Sequence, residues 1–94
     1  MELKDKVVVV TGAAGGIGNA LVNQFRAEGA IVIGSDLKTP EQTQAARFLN
    51  NDISTEAGVK ALIDDVLAHE GRIDLFCSGV GIAISIDDAA TKMF

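Results

Sequence analysis

The chain has 94 residues, 48% of them hydrophobic, which bounds it to one small domain with ample material for a core. Thirteen acidic against eight basic residues leave a net charge of −5 without a Lys/Arg cluster, which argues against a nucleic-acid or anionic-membrane surface. Cys77 stands alone and cannot form an internal disulfide, and the apolar run after Lys6 is too short for a signal segment or a membrane span. The expectation is a cytoplasmic protein.

Val7 to Val10 are four consecutive β-branched residues, and they read as a strand buried on both faces because neither face offers a polar position. Thr11 and Gly12 open a glycine-rich turn. Ile17, Ala20, Leu21 and Phe25 then fall on one face of a helix predicted over residues 16–28, which Gly29 ends. Residues 30–34 form a second buried strand that leads into Ser35 and Asp36. Residues 37–46 carry the single proline, Pro40, and read as a loop or a short irregular helix. Residues 47–50 form a third, weaker strand at the edge, followed by Asn51, Asp52 and Ile53.

Ser54 reads as the N-cap of a second helix, with Glu56 in its first turn to complement the dipole. Val59, Leu62, Ile63, Val66 and Leu67 repeat along one face of it, and Lys60 can pair with Asp64 on the exposed side. Gly71 closes the helix, and residues 74–78 form a fourth strand before Gly79, Val80 and Gly81. Ile82, Ile84 and Ile86 alternate like a strand, but Asp87 and Asp88 soon follow and read as a helix start.

This alternation requires parallel strands with right-handed crossovers, a doubly wound α/β sheet of strand order 3-2-1-4. The carboxyl ends of the strands then gather Gly12, Asp36, Asp52, Ser78 and Gly79 at one edge, where such sheets bind ligands. The first unit, a strand, a glycine turn and a helix, brings backbone N–H groups and a positive helix end to a phosphate. His69 reads as a surface residue that complements a helix C-terminus, and Cys77 as a small core residue. Ser85 has no histidine or lysine partner in sight, so it is not a credible nucleophile.

The glycines do not follow G-x-G-x-x-G. They follow T-G-x-x-x-G-x-G, with Thr11, Gly12, Gly16 and Gly18, a pattern that resembles the short-chain dehydrogenase/reductase family. The run GRIDLFCSGVGI, residues 71–82, resembles the family's GRIDVLVNNAGI segment, with Ser78-Gly79-Val80-Gly81 in place of Asn-Asn-Ala-Gly. Two bracing amide side chains are therefore missing. The spacing Gly12-x-x-Gly15-x-x-Gly18 also fits the extended branch of the family, which includes sugar-nucleotide epimerases, although the GRID segment favours the dehydrogenase branch.

The resemblance implies a Rossmann-like fold in which Gly12, Gly16, Ile17 and Gly18 meet the pyrophosphate of a dinucleotide. Asp36 stands eighteen residues after Gly18, where a carboxylate can accept both ribose hydroxyls and repel a 2′-phosphate, so the expected cofactor is NAD rather than NADP. By resemblance, Asp52 bonds the adenine amino group, Ile53 covers the ring, and the backbone of Ser78 and Gly79 lines the nicotinamide ribose. As bare residues Asp36 and Asp52 also fit a solvated strand end and a turn.

Family members use a Ser and a Tyr-x-x-x-Lys group to move the proton, act on small alcohol or carbonyl substrates, and assemble as homo-oligomers. This chain contains no tyrosine. The expectation is an N-terminal part, residues 1–94, of a dinucleotide-binding domain cut before its catalytic half; a complete non-catalytic nucleotide-binding module and an epimerase-type relative are the alternatives. In the first case Leu75, Phe76 and Cys77 would form an open edge, leaving the isolated chain molten or self-associating.

Overall fold

The computed structural model describes residues 2–78 and the backbone of residues 83–85. Its elements run β1 (Val7–Thr11), α1 (Gly16–Ala27), β2 (Ile31–Asp36), β3 (Arg47–Asn50), α2 (Glu56–Glu70), β4 (Leu75–Ser78) and β5 (Ala83–Ser85). The strands form one sheet in the order β3-β2-β1-β4-β5. Its first four members are parallel, in the expected 3-2-1-4 order, and β5 pairs antiparallel with β4.

The two faces of the sheet follow the period of two along β1. Val8 and Val10 pack with Val32, Cys77 and Val22 of α1, whereas Val7 and Val9 pack with Ile33 and with Leu62 and Val66 of α2. Both helices thus shield one strand, and Val8, Val9 and Val10 are wholly buried. Each such valine contributes about 1.5–3 kcal/mol relative to exposure. That burial is why Val7–Val10 carry no polar side chain, while Thr11, the buried polar residue that ends the strand, gives its hydroxyl to the Cys77 carbonyl (3.4 Å). Gly29 and Gly71 take left-handed conformations at the helix ends, as the sequence suggests.

Three local expectations are corrected. The buried face of α1 is Gly18 and Val22, flanked by Leu21 and Phe25, while Ala20 points outward and Ile17 is 58% exposed. The cause is Gly18. A Cβ there would lie 2.0 Å from the Gly12 carbonyl oxygen, so the helix sits against the turn and its rotation is set by that contact. The N-cap of α2 is Thr55, whose hydroxyl oxygen accepts from the Gly58 N–H (2.9 Å), and not Ser54. The Ser54 hydroxyl is already given to Asp52 Oδ1 at 2.5 Å, which leaves the next hydroxyl to cap.

The third correction concerns the edge. Leu75, Phe76 and Cys77 pair with Ser85, Ile84 and Ala83, so the outer side of β4 is covered by a strand. An antiparallel return needs only a short connection. Ile84 lies within that strand; Gly79, Ile82, Ile86 and the helix start expected at Asp87 and Asp88 lie outside the described residues.

Charged contacts fasten the layers. Asp74 Oδ2 accepts from the Val7 N–H (2.8 Å), and the Asp74 N–H donates to the Val7 carbonyl (2.9 Å). Arg72 pairs with the same carboxylate. Burial pushes the Asp74 carboxyl up, but the Val7 amide, Arg72 and Lys6 outweigh it and hold it below the usual carboxylate range. On the other side, Arg47 of β3 donates to both Glu70 oxygens (2.8 and 2.6 Å) and lies 2.8 Å from Asp65 Oδ1. Among the described residues, no helix is long and apolar enough to cross a membrane.

Candidate functional site

β1 ends at Thr11, whose register partners are Ser35 on one side and Ser78 on the other. This is the point where the chain's winding reverses between β2 and β4, and a crevice opens beyond it. Gly12 turns the chain out of the strand at φ +66°, a conformation costly for any residue with a Cβ. The Gly15 N–H donates back to the Gly12 carbonyl (3.1 Å) and closes the turn. The Ala13 N–H donates to the Ser35 carbonyl (3.1 Å) and the Ala14 N–H to Asp36 Oδ2 (3.0 Å), so the loop is tied to the end of β2 at two consecutive residues.

Helix α1 starts directly from this loop. Its N-cap, Gly15, offers no side chain, and its first turn holds no acidic residue. The first bond back from the helix is the Asn19 N–H to the Gly15 carbonyl (2.8 Å), so the N–H groups of Gly16, Ile17 and Gly18 precede the intrahelical ladder. α2 is built differently, with Thr55 capping and Glu56 in the first turn. The end of α1 therefore keeps its donors and its positive dipole for something outside the helix.

Those groups open onto a cleft of about 420 Å³ lined by Thr11, Gly12, Gly15, Gly16, Ile17, Gly18, Ile53 and Ser78. Six of the nine residues expected from the sequence, Gly12, Gly16, Ile17, Gly18, Ile53 and Ser78, are brought together in this lining. Gly79 lies outside the described residues. A Cβ on Gly16 would meet nothing within 4 Å. The protein itself does not need a glycine there; an approaching ligand would. Ile17 and Ile53 are exposed at the rim (58% and 38%), apolar surface left uncovered by the described residues.

Asp36 and Asp52 are outside the lining set. Asp36 sits half-buried at the end of β2, with Oδ1 accepting from the Leu37 N–H (2.7 Å) and Oδ2 from Ala14. Each oxygen keeps a lone pair for a further donor. Asp52 is an exposed turn residue: the Ser54 hydroxyl and the Ser54 N–H (3.0 Å) donate to it and hold its carboxyl below the usual range. Its carbonyl accepts from the Thr55 hydroxyl (2.9 Å). These bonds hold Asp52 within a turn.

Sequence reasoning missed two contributors. Gly58 sits where a Cβ would be 1.8 Å from the Asp52 carbonyl oxygen, so it lets α2 start against the turn that carries Ile53. A glycine inside an otherwise periodic helix was the available signal. Asn50 and Thr39 form the other: the Asn50 amide donates to the Asp36 carbonyl (3.3 Å) and the Thr39 hydroxyl to Asn50 Oδ1 (3.1 Å), fastening the chain beyond Asp36 to β3. Cys77 is buried beneath the site, and burial pushes its thiol up to about 11, which leaves it inert at neutral pH.

The family model for short chain dehydrogenase matches residues 6–93. The (+)-borneol dehydrogenase 1 of Salvia officinalis is 37% identical over 94% of this chain and 38% of its own length. The ligand-free aldohexose dehydrogenase of Thermoplasma acidophilum superposes with a TM-score of 0.75 and 35% identity, over 80% of this chain and 29% of that one. A short chain dehydrogenase from Leptospira borgpetersenii, solved with bound NAD+, gives 0.70 and 26% identity over 80% of this chain and 31% of that one. The chain spans well under half the length of these relatives. With the parallel sheet, the glycine turn and the open helix end all in place, this chain belongs to the short-chain dehydrogenase family.

Proposed function

We propose that the chain is the NAD-binding portion of an oxidoreductase that transfers hydride between NAD(H) and an alcohol or carbonyl substrate. The observation that carries this reading is the start of α1: three uncapped N–H groups, no acidic residue, and a 420 Å³ cleft in front of them. The pyrophosphate suits the Gly16–Gly18 turn, where backbone donors and the helix dipole meet an anion without a Cβ in the way. The Asp36 carboxylate offers its remaining lone pairs to the adenosine ribose, and its charge disfavours a 2′-phosphate. Ile53 and Ile17 offer apolar cover at the rim. The bound nicotinamide supplies the hydride chemistry.

The chain itself holds no tyrosine to move the proton, so we assign that step to residues outside these 94. The purified chain is expected to turn over no NAD-linked alcohol or carbonyl substrate. Calorimetric titration tests the cofactor assignment: NAD should bind more tightly than NADP, and Asp36→Ala should narrow the gap. An unchanged preference in Asp36→Ala would place that carboxylate elsewhere.

A further inference from the structure

The loop between β1 and α1 is held by two successive amides with different partners. Ala13, whose side chain is buried, gives its N–H to a backbone carbonyl of β2, that of Ser35 (3.1 Å). Ala14, which is exposed, gives its N–H to a side chain instead, the Asp36 carboxylate (3.0 Å). The other carboxylate oxygen is held by the Leu37 N–H (2.7 Å), which fixes the side chain's direction. The Asp36 backbone is fixed in turn, by its pairing with Asn50 of β3 and by the Asn50 amide on its carbonyl (3.3 Å). The carboxylate is therefore a rigid post at the end of β2, and the exposed half of the glycine loop leans on it.

We infer that Asp36 is a positioning residue for the phosphate loop as well as a ribose acceptor: its carboxylate holds Ala14, and through Ala14 the turn that presents the Gly16–Gly18 amides. This rests on the NAD-binding reading above and extends it from the ribose to the pyrophosphate. Four lone pairs serve two amides and leave two for hydroxyls, so the brace and the ribose contact coexist. Substitutions at Asp36 would then alter affinity for any diphosphate in the cleft, with or without a ribose hydroxyl to read.

The sign of that effect separates positioning from charge. Removing a carboxylate beside a diphosphate should by Coulomb's law strengthen binding of the anion. Loss of the brace weakens it. The probe is 2′,3′-dideoxyadenosine 5′-diphosphate, which lacks both hydroxyls that Asp36 would otherwise accept. Its affinity is expected to fall about fivefold in Asp36→Ala, the equivalent of one hydrogen bond of about 1 kcal/mol, and to recover in part in Asp36→Asn, whose single acceptor oxygen can serve Ala14 while its NH2 group cannot accept from Leu37. Exchange of the Ala14 amide proton in the nucleotide-free protein gives an independent reading. It should be slow in the wild type, intermediate in Asp36→Asn and fast in Asp36→Ala, with Ala13 protected in all three. Equal or tighter dideoxy-nucleotide binding by Asp36→Ala, or Ala14 exchange unchanged by it, would overturn the inference. If the wild type binds no adenine nucleotide, the NAD reading falls, and Ala14 exchange still decides whether Asp36 braces the loop.

Discussion

Gly16 and Gly18 stand two residues apart in one helical turn and face opposite constraints. A methyl on Gly18 would collide with the Gly12 carbonyl at 2.0 Å, whereas one on Gly16 meets only open space. Gly18→Ala is expected to cost about 1–3 kcal/mol of stability, because the helix must lift off the turn. Gly16→Ala should leave stability unchanged or raised by about 0.5 kcal/mol, and yet weaken NAD about tenfold. Paired thermal melts and NAD titrations read both effects; a stability loss in Gly16→Ala would show that the glycine serves the fold. Asp74 makes a prediction with a pH signature. Asp74→Asn should lose about 1–2 kcal/mol at pH 7, since the Val7 amide keeps only a neutral partner. The folded state depresses this carboxyl, so its contribution is complete above the unfolded value of about 3.9 and disappears as pH falls through the lower folded value. The gap between wild type and variant should therefore close below about pH 4. A gap that stays constant down to pH 2 would assign the loss to packing.

At the scale of elements, β3 is joined to α2 by Arg47, which pairs with Glu70 and Asp65 in a partly buried cluster. The Glu70 hydrogen bond comes first among the causes that outweigh burial and keep this guanidinium charged at any working pH. Arg47→Ala is expected to cost about 1–2 kcal/mol, since Glu70 loses a bidentate partner and Asp65 a single contact. Lys60→Ala removes an exposed pair with Asp64 (2.6 Å), which solvent screens, and should cost much less than Arg47→Ala. Chemical denaturation of the two variants compares them directly; equal costs would mean that Arg47 holds nothing. None of this cluster was legible in the sequence, because residues 47, 65 and 70 meet only when a parallel strand and a helix are packed. Hydrophobic patterns were legible. The all-apolar run of Val7–Val10 gave a strand buried on both faces, the spacing of Leu62 and Val66 gave the inward side of α2, and the alternation of strands and helices gave the sheet order. The rotation of α1 was not, because a glycine contact and not the apolar spacing sets it. The spacing of the glycines marked residues that line one candidate cleft, while the hold of Asp36 on Ala14 depends on two chain segments meeting in space.

For the molecule as a whole, β5 removes the open edge expected beside β4, and exposed apolar surface remains on the outer side of α2. Ile53, Val59 and Ile63 line a shallow hollow of about 830 Å³ there, and Leu67 is 46% exposed. This hollow is twice the size of the cleft at the glycine turn, and Ile53 lines both. Size alone would favour α2 as the place where a ligand sits. Chemistry favours α1, because α2 gives its Gly58 N–H to the Thr55 hydroxyl and carries Glu56 where an anion would approach. The direct test is to follow backbone amide resonances of the chain during titration with NAD. The account predicts that Gly12, Ala14, Gly16, Ile17 and Gly18 shift together and saturate, while Lys60, Ile63 and Asp64 stay still. Shifts confined to the α2 hollow, or a folded chain in which the Gly16–Gly18 amides do not respond to NAD, would contradict it.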